Sequence, residues 1–295
     1  MQTPENLTIK SGKAEALICP ALGCQTLSWK VNGQDLIYLD PEYFQKWPGL
    51  NLWGNPILFP APGLCSIGQE VNVWKYEGKI YPIEFHGFAD KLPWKLEFHD
   101  DSSIVCTLAH SEHTLRQYPF EFLARQKISL TENSLTVDFE MTNHSIQKMP
   151  YGVGWHPYFK KQRAKDGSVI EWLVKMPSCK RWTGNPAEEF VDWNEAVIKS
   201  SDRFGIGNVL LYNSDLPVTL YTDKPEIGTI KIEVENFGTP TRQMAWVIWN
   251  IASDCDYLCV EPWTAPPNVL NIPSAQVIVE PGQTSHQKMT FHKTV

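Results

Sequence analysis

Three residues able to move protons stand in similar local company: His86, His156 and Glu261. His156 belongs to Gly152-Val153-Gly154-Trp155-His156-Pro157-Tyr158-Phe159, where the glycines let the backbone pass close to a neighbour and Pro157 holds the histidine extended. His86 sits in Phe85-His86-Gly87-Phe88-Ala89-Asp90, again beside a glycine and aromatic rings, in an expected loop. Glu261 closes an apolar run and is restrained by Pro262, and a carboxylate placed there must be partnered or functional because burying it alone is costly. The three lie 70 and 105 residues apart, so only a sheet can bring them together. A histidine and a glutamate on opposite sides of a bound molecule form a general acid and base, each worth roughly 10²–10⁴-fold in rate. Such a pair suits a reaction that already runs slowly in water and needs two proton transfers but no cofactor. Trp155 and Tyr158 beside His156, and Trp263 beside Glu261, offer flat apolar faces with polar edges, which suit a ligand with apolar ring faces and a hydroxylated rim. A sugar has that form.

The elements that must position these groups read as β-structure. Residues 26–38 are two apolar runs joined by Asn32-Gly33, a hairpin signal. Leu135, Val137, Phe139 and Met141 alternate with polar residues, and Ile230, Ile232 and Val234 repeat the pattern, as half-buried strands require. The continuous apolar runs 244–251 and 257–260 predict strands buried on both faces. Residues 276–279 and 287–292, separated by Pro281-Gly282, predict a final hairpin or bent strand pair. Short helices are expected only at 186–199 and within 41–47, and residues 160–167 read as a charged loop. With no repeat and no linker-like tract, the simplest organisation is one all-β domain over residues 1–295, a large antiparallel sandwich.

Composition narrows the partners. The chain carries 33 acidic and 26 basic residues, a net charge of −7, without a Lys/Arg-rich block, so nucleic acid and anionic membrane are not expected partners. No run of 18 apolar residues occurs, and the first 13 residues lack the apolar core of a signal peptide, which predicts a cytoplasmic protein. Seven cysteines without zinc-type spacing read as reduced, mostly buried thiols. His110 and His113 flank Glu112, but without a third ligand in view they read as a solvated loop, and no metal or other cofactor is expected.

Gly154-Trp155-His156-Pro157-Tyr158-Phe159, Phe85-His86-Gly87-Phe88-Ala89, Asn55-Pro56-Ile57-Leu58-Phe59-Pro60 and Glu261-Pro262-Trp263-Thr264 together resemble, in order, the signature motifs of the aldose 1-epimerases, the galactose mutarotase-like proteins. The resemblance implies a large twisted β-sandwich that binds a monosaccharide or related sugar and interconverts its α and β anomers without a cofactor. It implies Glu261 as the base at the anomeric hydroxyl, His156 as the acid at the ring oxygen and His86 as a hydrogen-bond partner of the sugar. A monomer or homodimer is expected. Two departures bear on specificity. A Gly-Arg common in the family is replaced here by Gly63-Leu64, and an Asp that binds sugar hydroxyls has Asn208 in its region, with Asp202 more distant. Asn208 can keep hydrogen bonds but not the charge. The alternatives are a non-catalytic sugar-binding protein on the same fold and a sugar-6-phosphate 1-epimerase, for which Arg116 or Arg125 would have to supply the missing cation.

Overall fold

The alternation in 135–142 becomes a central strand. Ser134–Asn143 lies between Phe122–Leu130 and Thr284–Thr294, and along it buried positions alternate with half-buried ones. The inward set (Leu135, Val137, Phe139, Met141) faces the core, while the outward set pairs with polar neighbours such as Arg125, whose Nη1 donates to Glu140 Oε2 at 3.1 Å. A strand whose side chains alternate in this way can be wetted on one face and packed on the other.

The computed structural model describes residues 6–40, 42, 53–176, 179–182, 190–193, 197–200, 209–213, 217–237 and 244–294. Within these, antiparallel sheets carry nearly everything. A nine-stranded sheet runs in the order Lys95–His99, Ser103–Ala109, Phe122–Leu130, Ser134–Asn143, Thr284–Thr294, Thr229–Phe237, Val218–Tyr221, Leu173–Lys175, Val197–Lys199. An eight-stranded sheet contains Met244–Trp249, Tyr257–Trp263, Gly154–Trp155 and Ile57–Leu58 as consecutive neighbours, with Tyr158–Lys160 also pairing with Tyr257–Trp263. A four-stranded sheet is built from Leu7–Ser11, Ala14–Cys19, Gln25–Val31 and Gln34–Asp35, the last two joined through the Asn32-Gly33 turn with Val31 opposite Gln34.

The apolar faces of the three sheets meet in one core. Phe291 of the nine-stranded sheet packs edge-on against Phe159 of the eight-stranded sheet at 5.2 Å and lies 6.0 Å from Trp29 of the four-stranded sheet. Phe59, beside the site, is ringed by Phe88, Tyr118, Phe122, Phe139 and Tyr151, all within 6.1 Å centroid to centroid. This aromatic packing places the loops bearing His86 and the 55–60 motif on a rigid base.

Several expectations need correction. The segment expected as a helix at 186–199 holds strands at Phe190–Trp193 and Val197–Lys199, because each finds a neighbouring strand to pair with, and pairing overrides weak local preference. The helix expected within 41–47 lies outside the described residues apart from Glu42. Glu112–Gln117 is an α-helix, where a loop was expected. Ser111 caps it in a reciprocal box with Thr114, Glu112 suits its positive end and Arg116 its negative end, a signal the metal-oriented reading of His110 and His113 passed over. The two closing strands do not form a hairpin. Val277–Val279 pairs with Met149–Tyr151, whereas Thr284–Thr294 enters the nine-stranded sheet, because the intervening turn is anchored elsewhere, with Gly282 N donating to Asn143 O at 2.9 Å. The charged 160–167 segment is partly ordered, Gln162–Arg163 pairing with Val169–Ile170.

Candidate active site

The same period of two builds the site. Along Tyr257–Trp263, Leu258 and Val260 enter the main core while Cys259, Glu261 and Trp263 point to the other face. On the neighbouring Met244–Trp249 strand, Ala245, Val247 and Trp249 share that second face. Across the opposite edge, His156 and Tyr158 are presented there too, while Trp155 and Phe159 fill the main core. Register locks the arrangement: Gly154 faces Trp263, Tyr158 faces Cys259, and His156 N donates to Pro56 O at 3.0 Å. Gly154 is required for close approach, since a Cβ there would lie 2.5 Å from Trp263 Cδ1.

At the centre, His156 Nε2 lies 3.3 Å from Glu261 Oε1. Both residues are buried, at 8% and 1% exposure, so neither charge can be solvated by water and each depends on the other. Burial pushes the Glu261 carboxyl well above its ordinary value, opposed by the Trp263 indole, and pushes His156 down to about 3. Burial therefore favours the neutral form of each partner in the ligand-free site. His156 Nδ1 and Glu261 Oε2 have no hydrogen-bond partner among the described residues, which leaves both groups capacity for a ligand.

Rings fix the imidazole. Tyr158 stacks flat on His156 at 4.7 Å and 12°, while Trp249 and His86 meet it edge-on at 5.8 and 5.5 Å. Trp263 in turn lies edge-on to His86 at 5.8 Å.

His86 is held by its backbone and its ring together. It sits at φ 64°, a left-handed conformation open to histidine, and exchanges two bonds with Gly63: its own N–H reaches Gly63 O at 3.0 Å, and Gly63 N donates to its Nδ1 at 2.9 Å. Burial, then the neighbouring His156 and Lys91, hold its pKa well below the ordinary value. A neutral imidazole accepting at Nδ1 carries its hydrogen on Nε2, so His86 is a donor. Lys91 straps the turn, its Nζ donating to Phe85 O at 3.1 Å and Gly87 O at 2.7 Å. Gly87, at φ 78°, has no room for a side chain because a Cβ would land on the Phe59 carbonyl.

The sequence thus placed His86, His156, Glu261, Tyr158 and Trp263 in one neighbourhood. Trp155 is different: it is fully buried in the main core, on the opposite side of its strand from His156, so it supports the strand and cannot stack on a ligand in this structure. Asn208 and Asp202 lie outside the described residues. Trp249, Lys91, Gly63 and Cys259 were not anticipated. Cys259 could have been found by counting two residues back from Glu261 along a strand, whereas nothing local marks Trp249. Arg125 is committed to Glu140 on the outer face of the other sheet, and Arg116 closes the short helix. Among the described residues, His156, Cys259 and Glu261 also form a group able to hold a metal, with one ligand atom from each within 4.8 Å of the others.

These features define a mutarotase-like sandwich with a buried acid–base pair. The fold matches the Slr1438 protein from Synechocystis sp. PCC 6803 with a TM-score of 0.80 at 24% identity, covering 98% of this chain and 95% of that one. It also matches a galactose mutarotase-like protein from Lactobacillus casei with a TM-score of 0.79 at 22% identity, covering 98% and 100%. The chain belongs to the aldose 1-epimerase family, whose model matches residues 5–292. It is 22% identical to the chromosomal LacX protein of Lactococcus lactis subsp. lactis over 242 residues, 76% of each chain. Among the described residues, no helix is long and apolar enough to cross a membrane.

Proposed function

We propose that this protein is a cofactor-independent aldose 1-epimerase that interconverts the α and β anomers of a free, unphosphorylated monosaccharide. The observation that carries the reading is the buried 3.3 Å contact between His156 and Glu261, with the His86 N–H donor beside it. When a sugar enters, the shared proton moves to His156, leaving Glu261 as carboxylate. Glu261 then takes the proton from the anomeric hydroxyl while His156 protonates the ring oxygen. The C1–O5 bond breaks and the C1 oxygen becomes an aldehyde, with Glu261 neutral and His156 neutral. Rotation about C1–C2 and return of both protons closes the ring on the other face. The open-chain stage coincides with the protonation state that burial favours, so the site's environment assists ring opening.

His86 binds the sugar near the reacting centre, and Tyr158 and Trp263 shape the pocket around it. Asn208 is retained as a candidate for reading sugar hydroxyls. Engagement of Arg125 with Glu140 supports an unphosphorylated substrate. The core cluster draws on residues from Ile9 to Phe291, in keeping with a single domain, and the free thiols of Cys19, Cys24, Cys65, Cys106, Cys255 and Cys259 suit the cytoplasm.

Exchange NMR or polarimetry on freshly dissolved single anomers of a panel of aldoses, with their 6-phosphates, tests the reading. Faster equilibration of at least one free aldose is expected. The replacement of the expected Arg by Leu64 motivates a second reading, a sugar binder without catalysis; calorimetric binding with no acceleration for any sugar would favour it.

A further inference from the structure

Proton transfer leaves Cys259 without a task. It is fully buried, it packs in a small cluster with Tyr158 and Tyr257, and its thiol points to the same face as Glu261 two residues on. It stands opposite Tyr158, the residue stacked on His156. A hydrophobic residue would fill such a position as well as cysteine does, and cysteine alone adds a soft ligand atom.

We propose that His156, Cys259 and Glu261 form a binding site for a thiophilic divalent cation of the zinc type, whose occupancy switches proton transfer off. The regulatory consequence rests on the epimerase reading; the binding site does not.

Geometry and charge both support the site. Tetrahedral zinc with bonds of about 2.0–2.3 Å sets its ligand atoms roughly 3.3–3.8 Å apart. The His156–Glu261 contact is already 3.3 Å, and the thiol brings a third ligand atom, all three lying within 4.8 Å of one another. The unpartnered Glu261 Oε2 and His156 Nδ1 are buried polar atoms with bonding capacity that nothing described in the site uses. Binding a divalent cation expels the thiol proton and the proton shared by the pair. The product is neutral imidazole, thiolate, carboxylate and a 2+ ion, with no net charge. A buried site accepts that assembly far more readily than a lone carboxylate or thiolate. Magnesium and calcium, which take oxygen ligands, are selected against by the sulfur and nitrogen. The bound ion occupies the lone pairs of both acid and base, so the sugar's protons have nowhere to go.

The test uses the full chain stripped of metal with a chelator. Cobalt(II) is the spectroscopic probe and zinc its competitor. The expected result is one ion per chain with a thiolate-to-metal charge-transfer band. The band should persist in Cys255→Ser and vanish in Cys259→Ser. Loss of neighbours that merely orient a ligand weakens metal binding about 10–100-fold, so loss of the ligand itself should weaken it at least about 100-fold. Glu261→Gln should also weaken cobalt binding, which keeps the proposal testable if Cys259→Ser misfolds. Zinc should suppress anomer exchange in the parent protein, reversibly with chelator, and should not suppress it in Cys259→Ser. Absence of the band, or its survival in Cys259→Ser, overturns the site. Equal zinc inhibition of parent and Cys259→Ser overturns the switch. If no sugar is equilibrated yet the band appears and depends on Cys259, the epimerase reading falls and the metal site stands.

Discussion

His156 Nε2 and Glu261 Oε1 face each other at 3.3 Å in a setting closed to solvent, and His156 Nδ1 and Glu261 Oε2 have no hydrogen-bond partner among the described residues. The pair therefore behaves as one titrating unit whose proton resides on one member or the other. Catalysis in the proposed cycle is a redistribution of that proton inventory, with nothing gained or lost over a turnover.

Stability should depend on pH through this unit. His156, lowered from 6.5 to about 3, binds no proton in the folded state where the unfolded chain begins to bind one, so stability falls as pH drops below about 6.5. Glu261, raised well above 4.5, keeps its proton in the folded state after the unfolded chain has lost it, so stability falls as pH rises above about 4.5. Between those values the two slopes cancel. The pair's contribution is greatest and flat from about pH 4.5 to 6.5 and declines on either side by up to about 1.4 kcal/mol per pH unit. Denaturant titrations of the metal-free parent and of His156→Gln/Glu261→Gln, differenced across pH, should trace that plateau; a difference that climbs steadily from pH 5 to 9 contradicts it.

Gly154→Ala should cost about 1–3 kcal/mol, because the new methyl must displace the Trp263 ring or move two paired strands. Equilibrium unfolding measures the loss, and Trp263 is the residue whose environment should change. An unaltered midpoint would mean that the strand pair yields freely.

His86→Asn should leave stability nearly unchanged, since asparagine tolerates the left-handed backbone at this position, yet should slow anomer exchange by about 10²-fold because the shorter amide cannot bring a donor to where the imidazole Nε2 stands. Steady-state rates together with a thermal melt separate the two effects. Full activity would remove His86 from the site.

Lys91→Met should act at a distance, by releasing the Phe85 and Gly87 carbonyls and loosening the turn that aims His86. A misplacement of about 1 Å can cost up to about 10²-fold, so the expected loss in kcat is no larger than that of His86→Asn, and the Lys91→Met/His86→Asn double variant should be no worse than His86→Asn alone. Additive losses would assign Lys91 a separate role.

The legible part of the site was the part written in local grammar. Pro157 and Pro262 mark extended backbone at His156 and Glu261, and the motif order places both in one family, so the pair could be named before any coordinates. Trp155 misled because adjacency in sequence is opposition in a strand, and the ring beside His156 is the one that must face away. The helix at Glu112–Gln117 was written plainly in Ser111 and Thr114, but attention to two nearby histidines hid it. The final strands diverged for a reason no local pattern carries, since Val277–Val279 pairs with residues 126 to 130 positions earlier and Thr284–Thr294 with residues 142 to 158 positions earlier. Trp249 meets His156 only through two ladder pairings, and that contact has no signature in the chain.

The central claim is that Glu261 and His156 exchange protons with a sugar's anomeric hydroxyl and ring oxygen. The most direct measurement is the NMR exchange rate between α and β anomers of the best aldose, at fixed pH and in chelator, for the parent and for Glu261→Gln. The account predicts a fall of at least about 10²-fold in Glu261→Gln with sugar binding retained. A Glu261→Gln protein that equilibrates the anomers as fast as the parent would contradict it.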